Sequence, residues 1–166
     1  MNSLKNTFKI FASILIVSLI LIYFYSLNLP ERVFIHFNTY GEAEGFAWRN
    51  TFLIFSQILV IFIGALFYSI SKLIYKVDPK WLNLPNKDYW LTEERKQSTL
   101  NKVRDYNYIF GIVNLLLFDL LFYAIYKANL LAQPKLGAIS YISIIGYILI
   151  STFILIKFYR DFQIND

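Results

Sequence analysis

The chain has 166 residues, which is long enough for one domain and short for two. Apolar residues make up 57% of it and the mean hydropathy is +0.49, more than a soluble domain of this size can bury. The formal charge is +5, but the lysines and arginines gather at the ends of apolar runs, which indicates membrane topology rather than nucleic-acid binding. The chain has no cysteine, which excludes disulfides and thiolate metal sites.

Four apolar runs are each long enough to cross a bilayer as a helix. About 20 helical residues span a hydrocarbon core of ~30 Å, and an open sheet would leave backbone groups unpaired in lipid. We therefore predict an all-α fold, a bundle of four transmembrane helices that forms a single integral membrane domain over residues 1–166. The predicted spans are 8–27, 51–71, 108–126 and 138–156.

The first loop, residues 28–50, joins the first two spans. Pro30 should end any helix nearby, and the alternation that follows from Val33 suits a short extended segment. Gly41 and Gly45 supply turn positions where a positive φ is inexpensive.

The orientation follows from the distribution of basic residues. Twelve of the sixteen Lys and Arg residues lie near the amino end, in the segment 72–107 or in the tail, and four lie in the two other connections. The positive-inside rule then predicts that both termini and the segment 72–107 are cytoplasmic, and that the loop 28–50 is extracytoplasmic. We expect a multi-pass protein of the cell membrane.

The segment 72–107 is too apolar in its middle for a solvated linker. Pro79 and Pro85 should break any helix, whereas Thr92 suits an N-cap and Glu93 begins a helix that continues into the third span. We predict a short amphipathic cytoplasmic segment along the lipid headgroups, with a docking surface for a protein partner as the alternative. Its apolar residues are Trp81, Leu82, Leu84, Tyr89, Trp90 and Leu91.

The first loop also carries a motif. It resembles the domain of unknown function at the amino end of SdpI-type immunity and signalling proteins, whose pattern is close to L-P-x-x-I-P-x-H-F-N-x-x-G-x-x-D-G-W-G. The resemblance implies a bacterial plasma-membrane protein without a known activity. Here Phe34, Glu44 and Phe46 replace the family's proline, aspartate and tryptophan. The matching loop residues are Leu29, Pro30, His36, Phe37, Asn38, Gly41 and Gly45. A second run resembles a cytoplasmic motif of shorter members of the family, and its residues are Pro85, Asn86, Asp88, Tyr89, Trp90 and Arg95.

Asp119 is the only acidic residue within the predicted spans, and the one basic residue, Lys9, lies at the very start of the first span. An ionised carboxylate at that depth costs about 2.5–3.5 kcal/mol, so we expect a protonated carboxyl that faces the bundle. One interpretation is a proton- or ion-responsive site, and the other is a polar clasp between helices. The other polar residues in the spans that we consider with it are Ser18, Gln57, Asn114 and Tyr147.

His36 is the single histidine, with Glu44 nearby in the loop. One histidine and scattered acids are a poor ligand set, so we expect no metal, and we expect the imidazole to hydrogen-bond the loop backbone. A pH-sensing role stays open. The common hydrolase, Walker and dinucleotide motifs are missing from the sequence, so we expect no enzyme, no catalytic residue and no cofactor.

Three hypotheses of function follow. The first is a non-enzymatic sensor, immunity or regulatory membrane protein. The second is a transporter or transporter subunit that uses Asp119, which predicts a homo-oligomer because four spans are few for a lone transporter. The third is a membrane assembly scaffold. The expected partners are the lipid bilayer and a membrane or cytoplasmic protein, and no nucleic acid.

A reporter enzyme that works only in the cytoplasm tests the orientation. Fused after Trp90 it should be active, and fused after Asn38 it should be inactive, because the basic segment stays inside. Export of the reporter at residue 90 would contradict the predicted topology.

Overall fold

The computed structural model describes residues 2–164 and is mostly helical. The chain forms α1 (Asn2–Leu27), a two-stranded hairpin of β1 (Arg32–Phe37) and β2 (Ala43–Trp48), α2 (Arg49–Leu73), a 3-10 turn (Pro79–Trp81), the short α3 (Lys87–Trp90), α4 (Glu93–Asn129) and α5 (Ala138–Asp161).

Within the described residues, α1, α2, α4 and α5 are long and apolar enough to cross a membrane. The chain is therefore a small multi-span membrane protein, which confirms the four predicted spans. The predicted continuous helix from Glu93 is also confirmed, since α4 has 37 residues. At 1.5 Å per residue it is about 55 Å long, so it extends well beyond a hydrocarbon core of ~30 Å.

The prediction of an all-α fold is wrong in the first loop. β1 and β2 pair antiparallel, with Arg32 opposite Trp48 and Val33 opposite Ala47. The predicted extended segment was half of this hairpin, and its partner strand pairs with it across the turn at Gly41. Val33 is fully buried, and the hairpin packs against α2 and α4.

The helices do not pack as a symmetrical four-helix bundle. The core is formed by α1, α2 and α4, whereas α5 packs against α4 alone among the long helices. Most of the α5 surface is therefore exposed within the monomer. The core residues are Phe11, Ile22, Val60, Ile63, Tyr108, Leu115 and Phe122.

The long helices alternate in direction, so the chain has two distinct ends. We call one the hairpin end, where α1 meets β1 and β2 meets α2. We call the other the basic end, which holds the start of α1, residues 74–92 (the connector), the start of α4 and the end of α5.

Gly111 lies in one of the tightest contacts between the core helices. A Cβ built there would lie 2.7 Å from Cε2 of the buried Phe11 and 3.0 Å from Cγ of Phe67. Gly146, on α5, has nothing within 4 Å of its built Cβ. The two glycines thus form a matched pair, one in a tight contact and one facing open space.

We predict that Gly111→Leu lowers the thermal stability of the purified protein and that Gly146→Leu does not. Overpacking a tight contact costs about 1–3 kcal/mol, whereas replacing an open helical glycine improves helix propensity. Thermal unfolding in detergent micelles measures both. Equal losses in the two variants would mean that α4 does not approach α1 and α2 in this way.

Candidate functional site

Asp119 on α4 contacts Ser18 on α1 at the middle of both helices. Ser18 Oγ lies 2.8 Å from Asp119 Oδ2 and 2.9 Å from the carbonyl oxygen of Ile14. A serine hydroxyl has one proton, so both contacts are hydrogen bonds at once only when the Asp119 carboxyl is protonated and donates to Ser18. Ser18 is fully buried. The geometry thus suits a neutral carboxyl that joins two helices.

The second carboxyl oxygen of Asp119 has a different environment. Asp119 Oδ1 is buried and has no hydrogen-bond partner among the described residues. The residue lines a groove of about 560 Å³ between α1 and α4, with Tyr25 and Tyr123 in its wall and Leu116 and Leu120 beside it. Asp119 therefore belongs both to a helix contact and to an apolar groove.

The other polar residues of the spans do not join Asp119. The Tyr147 hydroxyl donates to Asn114 Oδ1 at 3.3 Å and links α5 to α4, while Gln57 Nε2 donates to the carbonyl oxygen of Leu19 at 2.9 Å and links α2 to α1. The polar residues thus form three separate clasps, one for each of three helix pairs.

The turn of the hairpin is shaped by its motif residues. Asn38 Oδ1 accepts hydrogen bonds from the backbone N–H groups of Tyr40 and Glu42. Gly41 has φ +78, and a Cβ there would lie 3.0 Å from the carbonyl oxygen of Leu136. The Leu136 N–H donates to the Gly41 carbonyl, so the turn also holds the link between α4 and α5.

His36 does not hydrogen-bond the loop backbone as expected. It lies opposite Gly45 in the hairpin, and its exposed imidazole Nε2 is 3.7 Å from a carboxylate oxygen of Glu44. Strand pairing turns the ring outward and leaves the turn backbone to Asn38. In the part of the chain that the structure describes, no three His, Cys, Asp or Glu side chains group closely enough to hold a metal ion.

Asn129, the last residue of α4, fixes the hairpin to the bundle. Its Oδ1 accepts the backbone N–H of Phe34 at 2.7 Å, and its Nδ2 donates to the Phe34 carbonyl at 2.9 Å. Sequence reasoning missed this contact. The available signal was an amide side chain placed at the end of an apolar run, close to the loop in the predicted topology.

The hairpin also presents an aromatic surface. The Arg32 guanidinium carbon lies 5.1 Å from the centre of the Phe46 ring and 5.5 Å from that of Trp48. Phe46 and Trp48 are about half exposed, and Tyr40 at the tip is 77% exposed. We refer to these four residues as the hairpin face. Pro30 precedes it, next to the buried Leu29.

The connector motif holds the end of α5. Trp90 Nε1 donates to the Phe162 carbonyl at 2.8 Å and Asn86 Nδ2 donates to the same oxygen at 3.1 Å. Asn86 is the residue just before α3, and its backbone is in the left-handed conformation, with φ 49. Leu84 is thus buried and Trp90 half-buried against protein, and Phe162 supplies the acceptor for the indole N–H. Trp81, by contrast, is 75% exposed.

The remaining motif residues lie around this contact. The Arg95 guanidinium carbon is 4.1 Å from the centre of the Tyr89 ring. Pro85 follows the buried Leu84, and Asp88 is exposed. Thr92 occupies the N-cap position of α4 as predicted, but its hydroxyl donates to the Tyr89 carbonyl and caps no backbone N–H.

Polar groups of α4 complete the attachment of α5. Lys102 Nζ donates to the Asp161 carbonyl at 3.0 Å, and the Tyr106 hydroxyl donates to the Asp161 carboxylate at 2.7 Å. A lysine near the carbonyl end of a helix also complements its dipole. Phe162, fully buried, fills the space beside Trp90. Sequence reasoning did not single out Asp161 or Phe162.

The pKa values of Tyr75 and Asp78, in the connector, are shifted from their ordinary values. The backbone N–H and the ammonium group of Lys80 hydrogen-bond Asp78 and hold the pKa of that carboxyl below its ordinary value. Burial raises the pKa of the Tyr75 phenol, against the opposing effect of Arg104.

Comparison of the chain with protein-family models, with curated proteins and with solved structures gave no match.

We predict that Asn129→Ala loosens the hairpin and leaves the helical core folded. A buried backbone group that loses its partner costs about 1–3 kcal/mol, and this substitution removes the partner of two such groups of Phe34. Hydrogen exchange of residues 32–48 measures the effect. Asn28→Ala is the control, because its exposed amide makes only a 3.4 Å contact with the Phe24 carbonyl. Unchanged exchange in Asn129→Ala would contradict the attachment.

Proposed function

We propose that this chain is a non-enzymatic regulatory membrane protein of the sensor or immunity kind. The hairpin face would meet a ligand at the cell envelope, and α4 would carry the effect to the connector. The observation that carries the proposal is the unbroken α4, which is joined to the hairpin through Asn129 and to the end of α5 through Lys102. The resemblance of the loop to the SdpI-type domain supports the same assignment.

We also propose that the hairpin end is extracytoplasmic and the basic end cytoplasmic. The distribution of lysine and arginine supports this orientation, since twelve of sixteen belong to the basic end. In that orientation the hairpin face is available to molecules outside the cell, and the connector is available to a partner protein inside.

The hairpin face suits an amphipathic ligand such as an envelope-active peptide. Its rings are exposed, and Arg32 keeps a cation beside them. Aromatic and arginine side chains are enriched where proteins bind one another. The three clasps within the bundle support a structural role for the polar residues of the spans, which leaves recognition to the hairpin face.

Cells that lack the gene test this proposal. We expect them to become more sensitive to a cationic envelope-active peptide, and the wild-type gene to restore resistance. A Tyr40→Ser, Phe46→Ser double variant should fail to restore it, because the hairpin face has lost two of its rings. Phe62→Ala on the exposed surface of α2 is the matched control and should restore it. Unchanged sensitivity of the deletion strain would count against immunity.

A second candidate, a transporter subunit that uses Asp119, is favoured by one observation. Asp119 lines the groove between α1 and α4, and its Oδ1 has no hydrogen-bond partner in the described part of the chain. A transporter of this size predicts a stable homo-oligomer, which crosslinking in native membranes detects.

Substitution of Asp119 separates the two candidates. A clasp predicts that Asp119→Asn keeps the stability of the wild type, because an amide still both donates and accepts, while Ser18→Ala loses roughly 0.6–2 kcal/mol. Thermal unfolding in micelles measures both, with Ser13→Ala on the exposed surface of α1 as control. Intact stability with lost biological activity in Asp119→Asn would favour a protonation-dependent transporter.

A further inference from the structure

A pocket of about 340 Å³ opens at the basic end, where α1, α2 and α4 meet. Its wall combines four aromatic rings, contributed by Phe8 and three tyrosines, with the cations Lys72 and Arg104. No role in the clasps, the hairpin or the connector accounts for this combination.

The two cations of the pocket differ in their ion pairs, and Lys72 is the less neutralised of the two. Lys72 forms no ion pair within the described part of the chain, and its Nζ lies 5.4 Å from the centre of the Tyr68 ring. Arg104 Nη2 contacts Asp105 Oδ1 at 3.2 Å, but Arg104 Nε is buried without a hydrogen-bond partner among the described residues. The exposed ammonium group of Lys72, next to the guanidinium of Arg104 in the same wall, makes the pocket suited to an anion.

The pocket lies where the apolar part of the bundle ends. Lys72 is in the last turn of α2, and Arg104 is one helical turn before Tyr108, which belongs to the buried core. The rings continue toward the apolar part, since the centre of the Phe8 ring lies 5.4 Å from that of Tyr108 and 6.2 Å from that of Tyr68. In a bilayer the cations would therefore be at headgroup depth, and the rings would be at the depth of the acyl carbons nearest the headgroups.

We propose that this pocket binds the headgroup phosphate of an anionic phospholipid. Lys72 and Arg104 contact the phosphate oxygens, and the rings of Phe8 and Tyr68 pack against the glycerol and the first acyl carbons. Basic pockets between membrane helices recognise anionic headgroups in this way. The order of polar and apolar walls and the depth of the pocket match a phospholipid better than a soluble anion.

The other basic surface at this end lacks these features. Lys80 and Lys87 line a shallow groove that already contains the carboxylate of Asp88. It has no aromatic wall, and Lys80 pairs with Asp78 at 3.1 Å. These two lysines are therefore the matched control for a site that depends on more than net charge.

Thermal unfolding of the purified protein in a neutral detergent tests the proposal. Added phosphatidylglycerol should raise the unfolding temperature by roughly 5 °C, because a ligand that binds only the folded state stabilises it. Phosphatidylcholine and inorganic phosphate should have less than a fifth of that effect. A Lys72→Gln, Arg104→Lys double variant should lose most of the rise, and a Lys80→Gln, Lys87→Gln double variant should keep it.

Lys72→Gln alone serves if the double variant does not fold, since Lys72 is exposed and its replacement leaves the core intact. Native mass spectrometry should then show at least a threefold smaller fraction of protein with bound phosphatidylglycerol than in the wild type. An equal rise with phosphatidylcholine would overturn the proposal, as would an equal rise with inorganic phosphate, which would indicate a soluble anion. Full retention of the phosphatidylglycerol effect in the Lys72 variant would overturn it as well.

Discussion

The close packing of α4 against α1 and α2 at Gly111 is the contact on which the rest of the structure depends. Inside a bilayer, lipid tails are as apolar as leucine, so helices associate through tight van der Waals contact and polar bonds. Gly111 provides tight van der Waals contact, since it lets the rings of Phe11 and Phe67 approach the α4 backbone. Every other part of the molecule that we discuss is attached to α4: α5 along its length, the hairpin at one end and the connector at the other.

Four pairs of long helices pack together; polar residues considered above join three of them, and Asn107 joins α4 to α2 by donating to the Phe67 carbonyl and to Ser71 Oγ. Ser18 with Asp119, Gln57 with the Leu19 carbonyl and Tyr147 with Asn114 hold three different pairs. Such bonds are individually modest in a membrane, but each specifies which helix faces which. The attachment of α5 depends on such bonds most, because α5 packs against α4 alone among the long helices and contributes no residue to the core that joins the other three.

Features that depend on residues close together in the sequence were predicted well, and contacts between residues far apart in the sequence were not. The start of α4 at Glu93 and the extended segment near Val33 depend on local chemistry, and both are present. The carboxyl of Asp119 contacts Ser18, one of the polar residues of the spans that were considered with it. By contrast, the hydrogen bond that Trp90 donates to Phe162, 72 residues away, was not predicted. His36 was expected to hydrogen-bond the turn backbone. Its ring points outward instead, because its orientation is set by strand pairing with residues beyond the turn.

The sequence by itself determined that the chain crosses a membrane four times, because length and apolar composition are local properties and lipid demands helices. Only the tertiary structure decided how those helices are grouped, with a core of three and α5 outside it. It also decided that Asn129 holds the backbone of Phe34 across 95 residues. The reason is physical: the choice of packing partner depends on the complementary shapes of two surfaces and on the exact meeting of donor and acceptor, and neither is encoded in any single run of residues.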